Sequence, residues 1–190
     1  MSVLDASSFI GLIALVTITL NFLLGMMLAT AYKRSKIWKA LPALMQRMDI
    51  NAIHNITAYV ALGLILIHPV LLLFDKETKF QISHILLPFN APHQPWLVAL
   101  GIISFYAILV VIITTQKSIK SRLGFRAWKN IHLISFVTAL FVCLHGIFID
   151  QHLKDQSPDY LDGEKVLCEV CLLVMIVFSI IRVRYYYKSK

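Results

Sequence analysis

Apolar positions along the chain gather into five long runs, about 9–31, 50–74, 96–115, 128–149 and 166–183, parted by short polar segments. At 1.5 Å per residue, helices of these lengths cross a hydrocarbon core of about 30 Å. The pattern predicts an all-α integral membrane protein, a bundle of five transmembrane helices forming one domain over 1–190, with no soluble domain beside it. Between the first two runs, Trp38, Leu41, Leu44, Met45 and Met48 alternate with Lys36, Lys39, Gln46 and Arg47, which reads as a short amphipathic stretch on the membrane surface. The loop 75–95 holds Pro88, Pro92, Pro95, His84 and His93. The loop 150–165 is acidic and holds His152, and neither loop has the length of a domain.

Composition agrees, with 58% hydrophobic residues. The net charge of +8 would suit a nucleic-acid binder were the cations spread over one surface, but they sort by side of the bilayer. Lys33, Arg34, Lys36, Lys39 and Arg47 share that side with Lys117, Lys120, Arg122, Arg126 and Lys129, and with Arg182, Arg184, Lys188 and Lys190, which makes fourteen of the eighteen cations. The positive-inside rule makes that side cytoplasmic, so the N-terminus is expected outside, the C-terminus inside, and the protein in the cell (inner) membrane, contacting lipid and no nucleic acid. Ala29-Thr30-Ala31 resembles a cleavage site, but the residues before it include Asp5 and no cation, and the positive cluster follows the first run. An uncleaved anchor is expected. Cys143, Cys168 and Cys171 are too few for a disulfide framework and read as small apolar filler. The C-x-x-C that Cys168 and Cys171 form on a membrane helix is a poor match to a redox dithiol.

Candidate chemistry lies in four histidines inside the second and fourth runs. His54 and His68 are fourteen residues apart and His132 and His145 thirteen, which separates each pair by roughly 20 Å along a helix. Ionisable groups at membrane depth are costly and mark function. Both runs travel from the cytoplasmic to the outer side, so His54 is expected level with His132 and His68 level with His145. Neutral imidazoles that clamp iron porphyrins satisfy their nitrogens in hydrocarbon, and the spacing suits two bis-histidine haems stacked across one bilayer. Fourteen residues leave His54 and His68 within about 40° on one helix face. Thirteen turn His145 about 140° from His132, so the fourth helix is expected to depart locally from α geometry, to kink, or to offset the haems.

Pro69 directly after His68 is expected to bend its helix. Gly63 and Gly146 remove side chains where a macrocycle could approach, or where helices pack. Arg126, with Arg122, Trp128 and Lys129 beside it, is the candidate to meet haem propionates on the cytoplasmic side; Lys79, His84, His93 and Lys154 are the candidates outside. A His-lined proton or transition-metal transporter, or a structural anchor for a larger reductase, are the competing readings.

The double spacing, His54 to His68 and His132 to His145, resembles that of the ferric reductase-like transmembrane domain shared by NADPH oxidases, ferric-chelate reductases and the haem-binding subunit of a bacterial methionine sulfoxide reductase system. Leu123-Gly124, Trp128 and Ile131-His132 resemble the run that opens a ligand-bearing helix there, and Leu100-Gly101-Ile102-Ile103-Ser104 precedes it. The resemblance covers most of residues 50–183. It implies two non-covalent haem b groups, the inner on His54 and His132 and the outer on His68 and His145, with no C-x-x-C-H for covalent attachment. Family oxidases carry electrons from NADPH through FAD to the haems, but this chain has five apparent spans where six are common. It also reaches Tyr185-Tyr186-Tyr187-Lys188-Ser189-Lys190 without a G-x-G-x-x-G, hence no FAD or NAD(P) site. The expected donor is a separate cytoplasmic flavoprotein reductase or a quinol. The expected acceptor at the outer face is ferric iron, dioxygen, a quinone or a partner protein.

Overall fold

The computed structural model describes residues 2–150, 152–154, 156–157 and 159–188, without the side chains of Ile37 and Lys188. Ser189 and Lys190 of the basic tail and Asp155 of the acidic loop lie outside the described residues.

Nine α-helices are described: α1 (Val3–Ala29), α2 (Lys36–Ala40), α3 (Ala43–Gln46), α4 (Ile50–Leu72), α5 (Ile82–Leu86), α6 (Pro95–Thr115), α7 (Lys117–His132), α8 (Ile134–Phe148) and α9 (Gly163–Lys188). Five apolar helical stretches are long enough to cross a membrane, α7 and α8 counting together as one over Lys117–Phe148. The protein is therefore an all-helical, multi-pass integral membrane protein. The first span begins six residues earlier than the apolar pattern suggests, because Ser2 and Asp5 form a reciprocal capping box that satisfies the opening N–H groups of α1.

Helices α1 and α6 run from the acidic-loop end to the basic end, while α4 and α8 run back. Three clusters stack along this axis. Leu4, Phe80, Ala91 and Leu153 pack at the acidic-loop end. Leu15, Ala139, Cys143, Ile147, Cys168, Cys171 and Met175 fill the middle. Leu24, Trp38 and Ile50 close the basic end, so Trp38 of the surface stretch is a buried plug. The fully buried side chains are small, Cys143, Cys168, Ser7 and Ser104, whereas Val60, Ile67 and Leu173 point outward. Lipid is as apolar as leucine, so close approach of small residues, not burial of large ones, holds such a bundle together.

Between α7 and α8 the path is not a regular helix. Gly124 breaks α7 with φ +76°, a conformation glycine adopts without steric cost, and separates a basic surface segment from the residues that enter the bundle. A second interruption at Leu133 directly follows His132. There the Phe136 N–H closes a tight i→i+3 turn on the Leu133 carbonyl, and Ser135 Oγ donates to the His132 carbonyl at 2.7 Å. Pro69 sits inside α4 as the sequence suggests.

The loop after α8 is organised on Asp150, whose carboxylate accepts backbone N–H groups of His152, Lys154 and Gln156 at 3.0, 2.8 and 3.2 Å. Burial pushes its pKa up, but the three donors outweigh it and hold the carboxyl below its usual range. A depressed carboxyl stabilises above its unfolded pKa and loses that contribution as pH falls through the folded value. Asp150→Ala is therefore expected to lower the thermal midpoint at neutral pH. The gap to wild type should begin to close below about pH 4 and vanish in stronger acid, as thermal melts across pH would show.

Candidate functional site

Asp49 caps α4 by accepting the N–H groups of Asn51 and Ala52, which fixes the phase that carries His54 and His68 into the bundle. The break at Leu133 does the same for the other helix. It resolves the thirteen-residue spacing by a local departure from α geometry, and both α7–α8 histidines face partners on α4. The ring centroids of His54 and His132 lie 6.3 Å apart, and those of His68 and His145 6.4 Å apart. Two metal–imidazole bonds of about 2 Å each, laid end to end with the two ring radii, span roughly 6 Å. Each pair therefore has room for one metal atom and supplies two ligands. Among the described residues no group of three or more His, Cys, Asp or Glu is placed to hold a metal, so a metal here must bring its remaining ligands with it. A porphyrin iron does.

Three of the four rings are anchored in the same way. The Nδ1–H of His54 donates to the Asn21 carbonyl at 3.0 Å, that of His68 to the Ser7 carbonyl at 2.7 Å, and that of His145 to the Leu97 carbonyl at 2.7 Å. Because a carbonyl can only accept, the proton is on Nδ1 and the lone pair on Nε2, the tautomer a metal ligand requires. Four residues beyond each acceptor on the same helix stands a glycine. A Cβ at Gly25 would lie 3.2 Å from the His54 ring, at Gly11 3.0 Å from that of His68, and at Gly101 3.2 Å from that of His145. Each acceptor carbonyl and its glycine form a seat in which the imidazole lies against bare backbone. Side chains on α1 reinforce two seats: Ser7 Oγ donates to the His68 carbonyl at 2.8 Å, and Asn21 Nδ2 to the His54 carbonyl at 2.6 Å and to Thr57 Oγ1 at 2.9 Å.

His132 is the exception. Its Nδ1 is buried without a hydrogen-bond partner, and its ring stacks on Trp128, centroids 5.3 Å apart, with Lys120 Nζ 3.6 Å over the indole. Arg182 reaches the same level from α9, 5.0 Å over the Phe136 ring and 4.0 Å from Met26 Sδ.

At the other level an apolar cavity of about 260 Å³ opens beside His68 and His145, lined among others by Gly11, Gly101, Ser104 and Lys165. Ser104 Oγ is buried there with no partner. Lys165, 4% exposed, donates through Nζ to the Gly146 carbonyl at 2.9 Å and to that of Ile149, closing the free carbonyls that end α8. A cavity with two facing imidazoles and an orphan hydroxyl fits an apolar macrocycle; its charged lining is Lys165 together with Asp150 and Glu164.

Several residues singled out from sequence stand elsewhere. Arg126 is exposed on α7 and Lys129 beside it is exposed too, while Lys120 lies over the Trp128 ring that stacks on His132 and Arg182 over the Phe136 ring. Gly63 meets nothing within 4 Å, and Gly146 faces Cys168 Sγ and also lines the cavity beside His68 and His145. Sequence reasoning missed the seat residues Ser7, Gly11, Asn21, Gly25, Leu97 and Gly101, and also Lys165. The signal was present: Gly11 and Gly25 are fourteen residues apart, the spacing of His54 and His68. Residues 10–144 match a family model described as ferric reductase like transmembrane component. Comparison with curated proteins gives no match.

Proposed function

The chain belongs to the family of ferric reductase-like transmembrane components, and from that premise we propose that it carries electrons across the membrane through two bound haem b groups. His54 and His132 hold the inner one, His68 and His145 the outer one. The basic face is cytoplasmic and takes electrons from a separate flavoprotein or a quinol; the opposite face delivers them to ferric iron, dioxygen, a quinone or a partner protein. When bound, the haems supply one-electron carriers at two depths of the bilayer.

The observation that carries this reading is the pair of facing imidazoles at each level, spaced for one iron, with three of four Nδ1–H groups tied to backbone carbonyls. The same ties argue against a proton relay, because a histidine locked in one tautomer cannot pass a proton from one ring nitrogen to the other. The chain's part is to hold the ligand nitrogens at fixed depth, to exclude water with the apolar clusters between and beyond them, and to place Lys165 and Arg182 at the outer and inner levels. Anionic groups meet cations there without crossing the bilayer core. The basic face also suits an acidic partner by electrostatic steering.

Protein purified in detergent after expression with ample porphyrin is expected to carry two haems per chain, with a low-spin b-type spectrum that shifts on dithionite reduction. A colourless preparation would overturn the proposal, as would a spectrum without bis-imidazole character. In oriented vesicles, a donor supplied on the basic face is expected to reduce both haems.

A further inference from the structure

We propose that Thr115 makes the two haem sites unequal by withholding from His132 the seat that the other three histidines occupy. The inference rests on the haem reading above but is drawn from a repetition within the bundle. On α1 the seats recur every fourteen residues, Ser7 with Gly11 and Asn21 with Gly25. On α6, which packs along α7 and α8, the outer seat is Leu97 with Gly101. Fourteen residues further along α6 stand Val111 and Thr115.

The acceptor is taken there. Thr115 Oγ1 donates to the Val111 carbonyl at 2.7 Å, and Thr114 Oγ1 to the same carbonyl at 3.1 Å. The neighbouring Val110 carbonyl accepts from Thr114 at 2.8 Å, so a one-residue change of register finds no freer acceptor. By that register Thr115 also brings a branched Cβ to the position that is bare in the other seats. Of the four Nδ1 atoms, that of His132 is the one without a partner, as these substitutions require. Its ring is steadied by Trp128 and Lys120 instead, a contact that fixes the ring plane but accepts no proton.

An N–H that donates to a carbonyl makes the opposite nitrogen a stronger donor to ferric iron, and partners of this kind change metal affinity by about 10–100-fold. Thr115 is thus a positioning residue that leaves His132 the weaker ligand and raises the inner potential relative to a fully seated pair.

Thr115→Gly removes the Cβ and the shorter of the two hydroxyl bonds on the Val111 carbonyl, leaving the longer one from Thr114. In the haem-loaded full chain, redox titration is expected to show one of two potentials falling, by about 59 mV for each tenfold gain in ferric over ferrous affinity. The other potential stays. Thr115→Ser keeps the hydroxyl and Thr115→Ala keeps the Cβ, and both are expected to titrate like wild type. A second readout needs no haem. In the full chain produced without added porphyrin, histidine ¹⁵N resonances are expected to show the Nδ1–H tautomer alone at His54, His68 and His145, and a mixture at His132 that Thr115→Gly converts to Nδ1–H. Unchanged potentials and tautomers in Thr115→Gly, or an equal response to Thr115→Ser, would overturn the role of Thr115. Absence of haem from wild type would overturn the proposed function, leaving the tautomer measurement to judge the seat.

Discussion

Alanine at His54 or at His132 is expected to remove the inner haem and halve the haem content, while alanine at His68 or at His145 removes the outer one. The reason is geometric. The two rings of each pair stand 6.3–6.4 Å apart, so each histidine is placed to supply one of two protein ligands at its level. Loss of one imidazole would leave a bound haem with one protein ligand instead of two. Haem quantification should fall from two per chain to one in each single variant. Redox titration should show the same surviving potential for His54→Ala as for His132→Ala, and the other potential for His68→Ala and His145→Ala. If His54→Ala and His68→Ala depleted the same haem, the pairing would be wrong. Reduction from the basic face should persist in His68→Ala vesicles while transfer to an acceptor on the opposite side stops.

The four histidines were legible because hydrocarbon makes a polar side chain conspicuous and helix geometry converts spacing into depth. The thirteen-residue interval even announced that the fourth helix had to depart from regularity, though not that the turn would fall at Leu133. What stayed hidden lies on the facing helices. A glycine inside a membrane helix carries no local mark that says which neighbour it receives, so Gly63 and Gly146, on the histidine-bearing helices themselves, drew attention ahead of Gly11, Gly25 and Gly101, against which the imidazoles lie. The acceptor carbonyls are more opaque still, since every residue has one. Lys165 escaped because it stands at the margin of an apolar run, where a cation ordinarily reports only topology, yet it folds inward to cap α8. Arg126 drew attention by its place before His132 in sequence, and the turn at Gly124 sets that stretch of α7 apart with Arg126 exposed.

Placing a methyl group in a seat is expected to separate haem binding from helix stability, because the two respond with opposite sign. Alanine is a better helix former than glycine by about 1 kcal/mol, so Gly11→Ala, Gly25→Ala and Gly101→Ala should leave the bundle no less stable on their own account. Each new Cβ would nevertheless lie 3.0–3.2 Å from an imidazole. The ring must retreat by a few tenths of an ångström and stretch its 2.7–3.0 Å bond to the carbonyl beneath. Loss of such a partner typically weakens a metal site about 10–100-fold. The deficit should fall on one haem: the outer for Gly11→Ala and Gly101→Ala, the inner for Gly25→Ala. Gly11→Ala should be the most severe, since its Cβ would approach two ring atoms of His68 at 3.0 Å. Leucine at any of the three positions should abolish the haem it faces. Gly163→Ala is the control, an exposed glycine at the start of α9 with nothing within 4 Å, and should retain both haems. Haem titration beside a thermal melt of each variant separates the cases: equal haem loss in Gly163→Ala and Gly11→Ala would mean that the loss does not depend on contact with an imidazole, and that no seat exists.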